Sequence, residues 1–162
     1  MEQADVAAEL FGAQRHALLR YLHAFGLRTQ DCEDVLQDTF LALHRHILLE
    51  RPQTNLRAWI FQTGHNLALK SRSRQRFWDI LVDRFLDPQP DPEELAAMSQ
   101  RQQRLHRVIR ALSPRDRACL ALKAEGFTYR EIGEIVGVSL GSVASSITKT
   151  LEKIERMEVR QR

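Results

Sequence analysis

The sequence predicts an all-α fold of two small helical domains joined by an acidic, proline-rich linker. Apolar residues recur every three or four positions along most of the chain, as on the buried face of a helix, and no useful stretch alternates with the period of two of a strand. Three of the five prolines, Pro88, Pro90 and Pro92, fall within five residues. Because proline lacks an amide hydrogen and disfavours helical backbone in the residue before it, no helix is expected to cross this stretch.

The proline-rich stretch also predicts how the chain divides. Its acidic neighbours are typical of a flexible, solvated linker. We therefore assign residues 1–78 to a first domain, 79–97 to the linker and 98–162 to a second domain. The acids around the prolines are Asp83, Asp87, Asp91, Glu93 and Glu94.

Composition excludes several classes of protein. Of the 162 residues, 43% are hydrophobic, which is too many for a disordered chain. No run approaches the roughly 20 apolar residues that a membrane span needs, and no secretory signal opens the chain. The two cysteines, Cys32 and Cys119, supply neither a disulfide framework nor a four-thiolate zinc site. These features predict a soluble protein of the reducing cytoplasm.

Three helices are predicted in the first domain. The first presents one apolar face and ends before Gly26, which suits a C′ position; that face comprises Leu10, Phe11, Leu18, Leu22 and Phe25. The second begins near Thr29 or Asp31 and buries Val35, Leu36, Phe40, Leu43 and Ile47. Asn55 is a good N-cap for the third, whose apolar face comprises Leu56, Trp59, Ile60, Thr63 and Leu67.

The second domain is predicted to end in a helix-turn-helix. Ser113 and Pro114 begin a helix that stops near Gly126. Thr128 then caps a short helix, Gly137 forms the turn, and Ser139 caps a second helix with Val143, Ile147, Leu151 and Ile154 inward. Gly133 provides the small residue at the helix crossing. A plain helical hairpin is the alternative, but this capping and glycine placement favour the DNA-binding motif.

Two charged surfaces mark the first domain. Asp31, Asp34 and Asp38 share a helix face, flanked by Glu33 and Gln37. This face either complements the helix dipole or docks a basic partner helix. The second surface is basic and is either an ordinary solvated face or a surface for phosphates and unpaired bases, because aromatic residues and an amide lie near it. The basic residues are Arg57, Lys70, Arg72, Arg74 and Arg76, the aromatic ones are Trp59, Phe77 and Trp78, and the amide is Asn66.

Taken in order, these motifs resemble the extracytoplasmic-function (ECF) class of bacterial RNA polymerase sigma factors. DCEDVLQDTFLAL at residues 31–43 resembles the segment that docks the clamp helices of the polymerase β′ subunit. NLRAWIFQTGHNLAL at residues 55–69 resembles the segment that opens and reads the −10 promoter element. LSPRDRACLALKAEGFTYREIGEIVGVSLGSV at residues 112–143 resembles the fourth sigma domain, which reads the −35 element.

The resemblance implies a role for each site. The polymerase-docking residues would be Asp31, Glu33, Asp34, Gln37 and Asp38. The −10 element would be bound by Asn55, Arg57, Asn66, Lys70, Arg72, Arg74 and Arg76, while the Leu48–Thr54 loop holds an extruded base. The −35 element would be bound by Thr128, Tyr129, Arg130, Ser139, Ser142, Ser145, Thr148 and Lys149, with the second helix of the motif in the major groove.

The resemblance also implies partners. They are promoter DNA, the polymerase core through its β′ clamp helices and β subunit, and an anti-sigma factor, because no regulatory domain is evident beyond the two helical ones. The linker would occupy the RNA exit path. Such a protein is not an enzyme and is expected to need no cofactor and no metal.

The chain departs from the family pattern at particular positions. Gly64 lies inside the third helix, where glycine costs about 1 kcal/mol relative to alanine, and predicts local softness. Ala144 and Ser146 stand where the family is commonly basic, and the loss of bidentate arginines predicts weak or assisted −35 binding. We expect arginine to be tolerated at both, since both lie off the predicted apolar stripe.

Three alternatives remain at this stage. An enzyme is conceivable from His44, His46, His65 and the acidic cluster, but His44 and His46 do not share a helix face and no metalloprotease motif is present. A transcription regulator that uses only the helix-turn-helix leaves the acidic helix unexplained. Stable binding to core polymerase without DNA distinguishes a sigma factor from such a regulator. A two-lobed interaction module that has lost promoter reading would explain the neutral recognition helix.

Overall fold

The computed structural model describes residues 2–82 and 92–160, with the side chains of residues 4–73, 92, 93 and 96–160. These ranges contain no strand and eight helices, which confirms the all-α prediction. The helices are α1 (Glu2–Phe25), α2 (Thr29–Leu48), α3 (Leu56–Val82), α4 (Pro92–Ala97), α5 (Gln100–Ala111), α6 (Pro114–Ala124), α7 (Tyr129–Val136) and α8 (Leu140–Val159).

Helices α1, α2 and α3 form the first lobe, in which each packs against the other two. Gly26 ends α1 with φ +100°, as its C′ assignment predicts. Gly64 is explained by packing: a Cβ there would lie 2.9 Å from a terminal carbon of Leu18 and 3.5 Å from the Thr39 hydroxyl. The expected softness at this position is therefore offset by the close approach of three helices.

Helices α5 to α8 form the second lobe, and α7, its turn and α8 form the predicted helix-turn-helix. The Thr128 side chain accepts a hydrogen bond from the amide of Glu131, whose carboxylate accepts one from the Thr128 amide. Gly137 adopts φ +77° in the turn, and the Ser139 side chain accepts from the Ser142 amide at the start of α8. Each cap predicted for this motif is present.

The buried face of α8 differs from the predicted one beyond its second turn. Leu151 is 46% exposed, whereas Ser146 and Thr150 are buried. At 3.6 residues per turn a straight helix drifts away from a strict spacing of four, so position 150 replaces position 151 on the inner face. The expectation that arginine is tolerated at Ser146 is consequently wrong, because that side chain is only 4% exposed.

Helical structure also extends into the segment assigned to the linker. Helix α3 continues to Val82, since the sequence has no proline or glycine between Gly64 and Pro88. Pro92 occupies the first position of α4, where its missing amide hydrogen costs nothing. Residues 83–91, with most of the predicted linker acids and two of its prolines, lie outside the described residues.

The two lobes pack against each other. Helix α1 contacts α6, and α3 contacts α7. The rings of Phe61 and Phe127 meet edge to face at 4.8 Å between centroids. Buried residues of both lobes consequently form one hydrophobic cluster.

Candidate functional site

The acidic face of α2 is a solvent-facing surface. Glu33, Asp34, Gln37 and Asp38 are exposed, and Asp31 is half-buried. Only Asp31 lies in the first turn, where the helix dipole acts. The dipole interpretation therefore leaves Glu33, Asp34 and Asp38 unexplained, and all three carboxylates are exposed to solvent.

A groove adjoins this acidic face and adds apolar area to it. The groove runs between α1 and α2 and has a volume of about 440 Å³, with Phe11, Leu36 and Phe40 among its lining residues. Glu33 at its edge pairs with Arg15 at 3.5 Å between exposed side chains. The surface thus combines an apolar floor with a rim on which Asp34 and Gln37 are exposed.

The exposed face of α3 carries two of the residues predicted for the −10 element. Asn66 and Lys70 are exposed one turn apart, and Gln62 is exposed one turn before Asn66. Gln62 was not among the predicted residues, although its spacing of four from Asn66 would have identified it. These three side chains form a polar stripe about 12 Å long at 1.5 Å of rise per residue.

Arg57 and Asn55, also predicted for the −10 element, lie at the contact between the lobes. The Arg57 guanidinium donates to the Glu125 carbonyl oxygen at 2.6 Å and stands 4.0 Å from the centre of the Phe127 ring. The Asn55 amide nitrogen donates to the Glu131 carboxylate at 3.0 Å. Both side chains are thus occupied by acceptors of the second lobe.

A third predicted −10 residue is held within the first lobe. Arg72 lies 5.2 Å from the centre of the Phe25 ring and donates to the Phe25 carbonyl oxygen at 3.4 Å. This carbonyl belongs to the C-terminal end of α1, where a cation is stabilising. The side chains of Arg74, Arg76, Phe77 and Trp78 lie outside the described residues.

The recognition helix α8 presents a short hydroxyl-rich surface. Ser145, Thr148 and Lys149 are exposed on one face. Ser139 and Ser142 are engaged with each other at the helix start, at 2.9 Å between hydroxyl oxygens. Ser146 does not belong to this surface, since its hydroxyl donates to the Asp116 carboxylate.

Helix α7 contributes three more of the predicted −35 residues. Thr128 and Arg130 are exposed at its start. Tyr129 is half-buried, and the Lys123 ammonium lies 4.9 Å from the centre of its ring. The structure thus brings Thr128 and Arg130 to solvent at the start of the motif's first helix and partly covers Tyr129.

A groove between α5 and α8 was not predicted from the sequence. It has a volume of about 570 Å³ and combines an apolar floor with a basic rim. The floor comprises Val108, Ala111, Leu112 and Met157, and the rim comprises Arg104, Lys153, Arg156 and Arg160. The basic residues of α5 and α8 were visible in the sequence, but their spacing does not show that the two helices lie side by side.

The histidines do not form a shared site. His65 is buried beside the Tyr21 hydroxyl, and burial lowers the pKa of its imidazole to about 4. His44 packs near Phe40, while His46 packs on Trp59. Within the described ranges, no three histidine, cysteine, aspartate or glutamate side chains are placed to hold a metal ion. No helix in those ranges is both long and apolar enough to cross a bilayer.

Comparison with known proteins identifies both lobes. The family model for sigma-70 region 2 matches residues 10–77, and that for sigma-70 region 4 matches residues 102–154. The ECF RNA polymerase sigma factor SigE of Mycolicibacterium smegmatis is 30% identical over 149 residues, which cover 87% of this chain and 58% of that relative. RNA polymerase sigma factor CnrH of Cupriavidus metallidurans is 26% identical, with 87% of this chain and 80% of CnrH covered.

Solved structures show the same fold. The sigma factor RpoE of Bartonella quintana, in complex with the anti-sigma factor NepR, matches with a TM-score of 0.67 at 20% identity, over 96% of this chain and 99% of RpoE. CnrH, in complex with the cytosolic domain of CnrY, matches with a TM-score of 0.64 at 23% identity, over 99% of this chain and 97% of CnrH.

Proposed function

Because the chain belongs to the sigma-70 family of RNA polymerase sigma factors, and within it to the ECF class, we propose that it binds core polymerase through α2 and directs it to promoters through α3 and α8. The observation that carries this proposal is the acidic face of α2. It is exposed, extends past the reach of the helix dipole and borders an apolar groove. A regulator acting through the helix-turn-helix alone has no use for such a surface.

Neutralising this face tests polymerase docking. Replacing Asp34 and Asp38 with asparagine should weaken binding to core polymerase measured by titration, because the substitution removes two exposed charges and changes no packing. A matched control, Asp5→Asn with Glu134→Gln, removes two exposed acids elsewhere. Core affinity within about twofold of the parent, or roughly 0.4 kcal/mol, would place docking elsewhere.

The polar stripe on α3 is proposed to bind the non-template strand of the −10 element. Asn66 can both donate to and accept from a base edge, while Lys70 offers only a point charge to phosphate. Asn66→Ala should therefore relax preference at one −10 base and leave core binding intact. Lys70→Ala should lower affinity for all sequences and flatten the salt dependence. Indistinguishable profiles for the two variants would contradict this division of roles.

The recognition helix is proposed to bind the −35 element with shallow sequence preference. Its exposed side chains are Ser145, Thr148 and Lys149, and hydroxyls discriminate among bases less than a bidentate arginine does. Lys149→Ala should reduce the salt slope of promoter binding by about one. A strong −35 preference in transcription by the unmodified protein would show that these hydroxyls read bases more sharply than expected.

Protein partners are proposed for the groove between α5 and α8. Its apolar floor and basic rim suit an amphipathic helix with an acidic polar face. We assign this groove to an anti-sigma partner, since the similar sigma factor RpoE is bound by the anti-sigma factor NepR in its solved structure. The role is non-catalytic and cytoplasmic, because it changes where polymerase binds in the compartment where transcription takes place.

Promoter reading by Asn55 and Arg57 requires the two lobes to separate. Both residues are proposed −10 ligands, and both are occupied by Glu131 and Glu125 of the second lobe. A phosphate would have to displace the Glu125 carbonyl oxygen from the Arg57 guanidinium, which also stacks on the Phe127 ring. We therefore propose that the packed arrangement of the two lobes is the form of the protein away from DNA.

A further inference from the structure

The loop that joins α2 to α3 has a defined shape at both ends. At its start, the Glu50 amide donates to the Ile47 carbonyl oxygen at 3.0 Å and the Arg51 amide donates to the His46 carbonyl oxygen at 3.2 Å. This pair of bonds forms a Schellman motif with Glu50 in the left-handed region at φ +50°, where glycine is usual. At its end, Asn55 also has φ +50° and caps α3 by accepting from the Ala58 amide.

The middle of the loop is held by one side chain. The His46 ring donates through Nε2 to the Pro52 carbonyl oxygen at 2.8 Å. The same ring packs on Trp59, with 4.4 Å between ring centres. His46 thereby links the last turn of α2, the middle of the loop and the first turn of α3.

We propose that His46 is a positioning residue for promoter reading: it fixes the Leu48–Thr54 loop in the shape that receives an extruded −10 base. The inference rests on the proposed function and on the family resemblance, which implies that this loop holds an extruded base. Leu48 and Leu49 leave 51% and 64% of their surface exposed, so the loop offers apolar contact area to a base. Flipping a base costs a few kcal/mol, which a pre-shaped loop can offset and a loosely held loop cannot.

Two substitutions separate the functions of the ring. His46→Phe keeps an aromatic ring against Trp59 and removes the donor to Pro52. His46→Gln places an amide donor near the position of Nε2 and removes the ring. His16→Phe is the control, because His16 is exposed on α1 and does not line the groove between α1 and α2.

The assay measures open-complex formation by holoenzyme on promoters that differ at single −10 positions, alongside core affinity. We expect His46→Phe to lower the preference for the best base by about three- to tenfold, the size of one lost hydrogen bond, with core affinity unchanged. His46→Gln should restore at least part of that preference. The control should match the parent.

Each outcome bears on the inference. Unchanged base preference in His46→Phe overturns it, as does a loss confined to core affinity. If His46→Phe does not fold, Trp59→Leu tests the same point by removing the backing of the ring, and unchanged preference there also overturns it. If the unmodified chain itself neither binds core nor selects promoters, the proposed function fails, which is a different result.

Discussion

Phe127→Leu should shift the protein from the closed arrangement of its lobes towards an open one. The Phe127 ring supports the Arg57 guanidinium at 4.0 Å and meets the Phe61 ring at 4.8 Å. A cation–π contact of a partly exposed arginine contributes about 1 kcal/mol, and an aromatic pair contributes about 1 kcal/mol beyond its buried area. Losing both should change the ratio of closed to open molecules by about 30-fold.

Small-angle scattering and promoter opening measure this shift. The radius of gyration of the free chain should rise, and open complexes should form at lower chain concentration, because apparent affinity is reduced by the fraction of molecules that are competent to bind. Phe25→Leu is the matched control, since the ring and cation contacts of Phe25 are with His65 and Arg72, both in the first lobe. It should reduce stability and leave the lobes together.

Equal radii of gyration for Phe127→Leu and the parent would refute this reasoning, because the ring would then contribute nothing to closure. If the leucine variant destabilises the second lobe itself, Arg20→Ala provides a milder test. Arg20 pairs with Glu125 across the lobes through two hydrogen bonds of 2.9 and 3.0 Å. Arg20→Ala should raise the radius of gyration by less than Phe127→Leu does.

Three further predictions concern stability. Gly133→Ala should lower the free energy of unfolding by about 1–3 kcal/mol, because the added Cβ would lie 2.8 Å from the Val138 carbonyl oxygen. Gly141→Ala is the control: a Cβ there would meet no atom within 4 Å, so the change should be neutral or stabilising. His65 has a pKa of about 4 in the folded protein and about 6.5 when unfolded, so acid protonates the unfolded chain first. The free energy of unfolding should therefore fall by up to roughly 3 kcal/mol as pH falls from 6.5 towards 4. In His65→Gln the denaturation midpoint should depend less on pH over that window. Ser146→Ala should lower the free energy of unfolding, measured by heat or urea, by about 1.5–3 kcal/mol because it removes the hydrogen bond to the Asp116 carboxylate. Ser145→Ala, on the exposed face of α8, should leave that free energy almost unchanged.

Helix boundaries marked by a cap or a C-terminal glycine were predictable because local chemistry fixes them, whereas the end of α3 at Val82 and helix α4 were not predicted. Gly26 and Gly137 adopt the left-handed backbone that glycine tolerates best, and Ser139 and Thr128 supply the acceptors that helix starts require. The acidic face of α2 was predictable for a similar reason, since residues at spacings of three and four share a face. Because the residues at these spacings are all polar, the sequence also predicts that this face of α2 is exposed to solvent.

Contacts between distant segments were not predictable from spacing. Ser146 is polar, yet it is buried because Asp116 of α6 accepts its hydrogen bond. His65 is buried because Tyr21, from α1, lies beside its ring. In both cases the partner is separated in sequence by at least 30 residues, so nothing in the neighbouring sequence indicates that the polar group will be satisfied.

The largest departure from the sequence interpretation concerns Arg57, and its chemistry explains both the expectation and the outcome. An arginine near aromatic residues suits a phosphate, and here it binds the Glu125 carbonyl oxygen at the C-terminal end of α6. That end of a helix carries roughly half a negative charge, so it is a weaker counterpart of a phosphate oxygen. On the proposed function, the Arg57 side chain holds the lobes together away from DNA and exchanges the Glu125 carbonyl oxygen for a phosphate when the promoter binds.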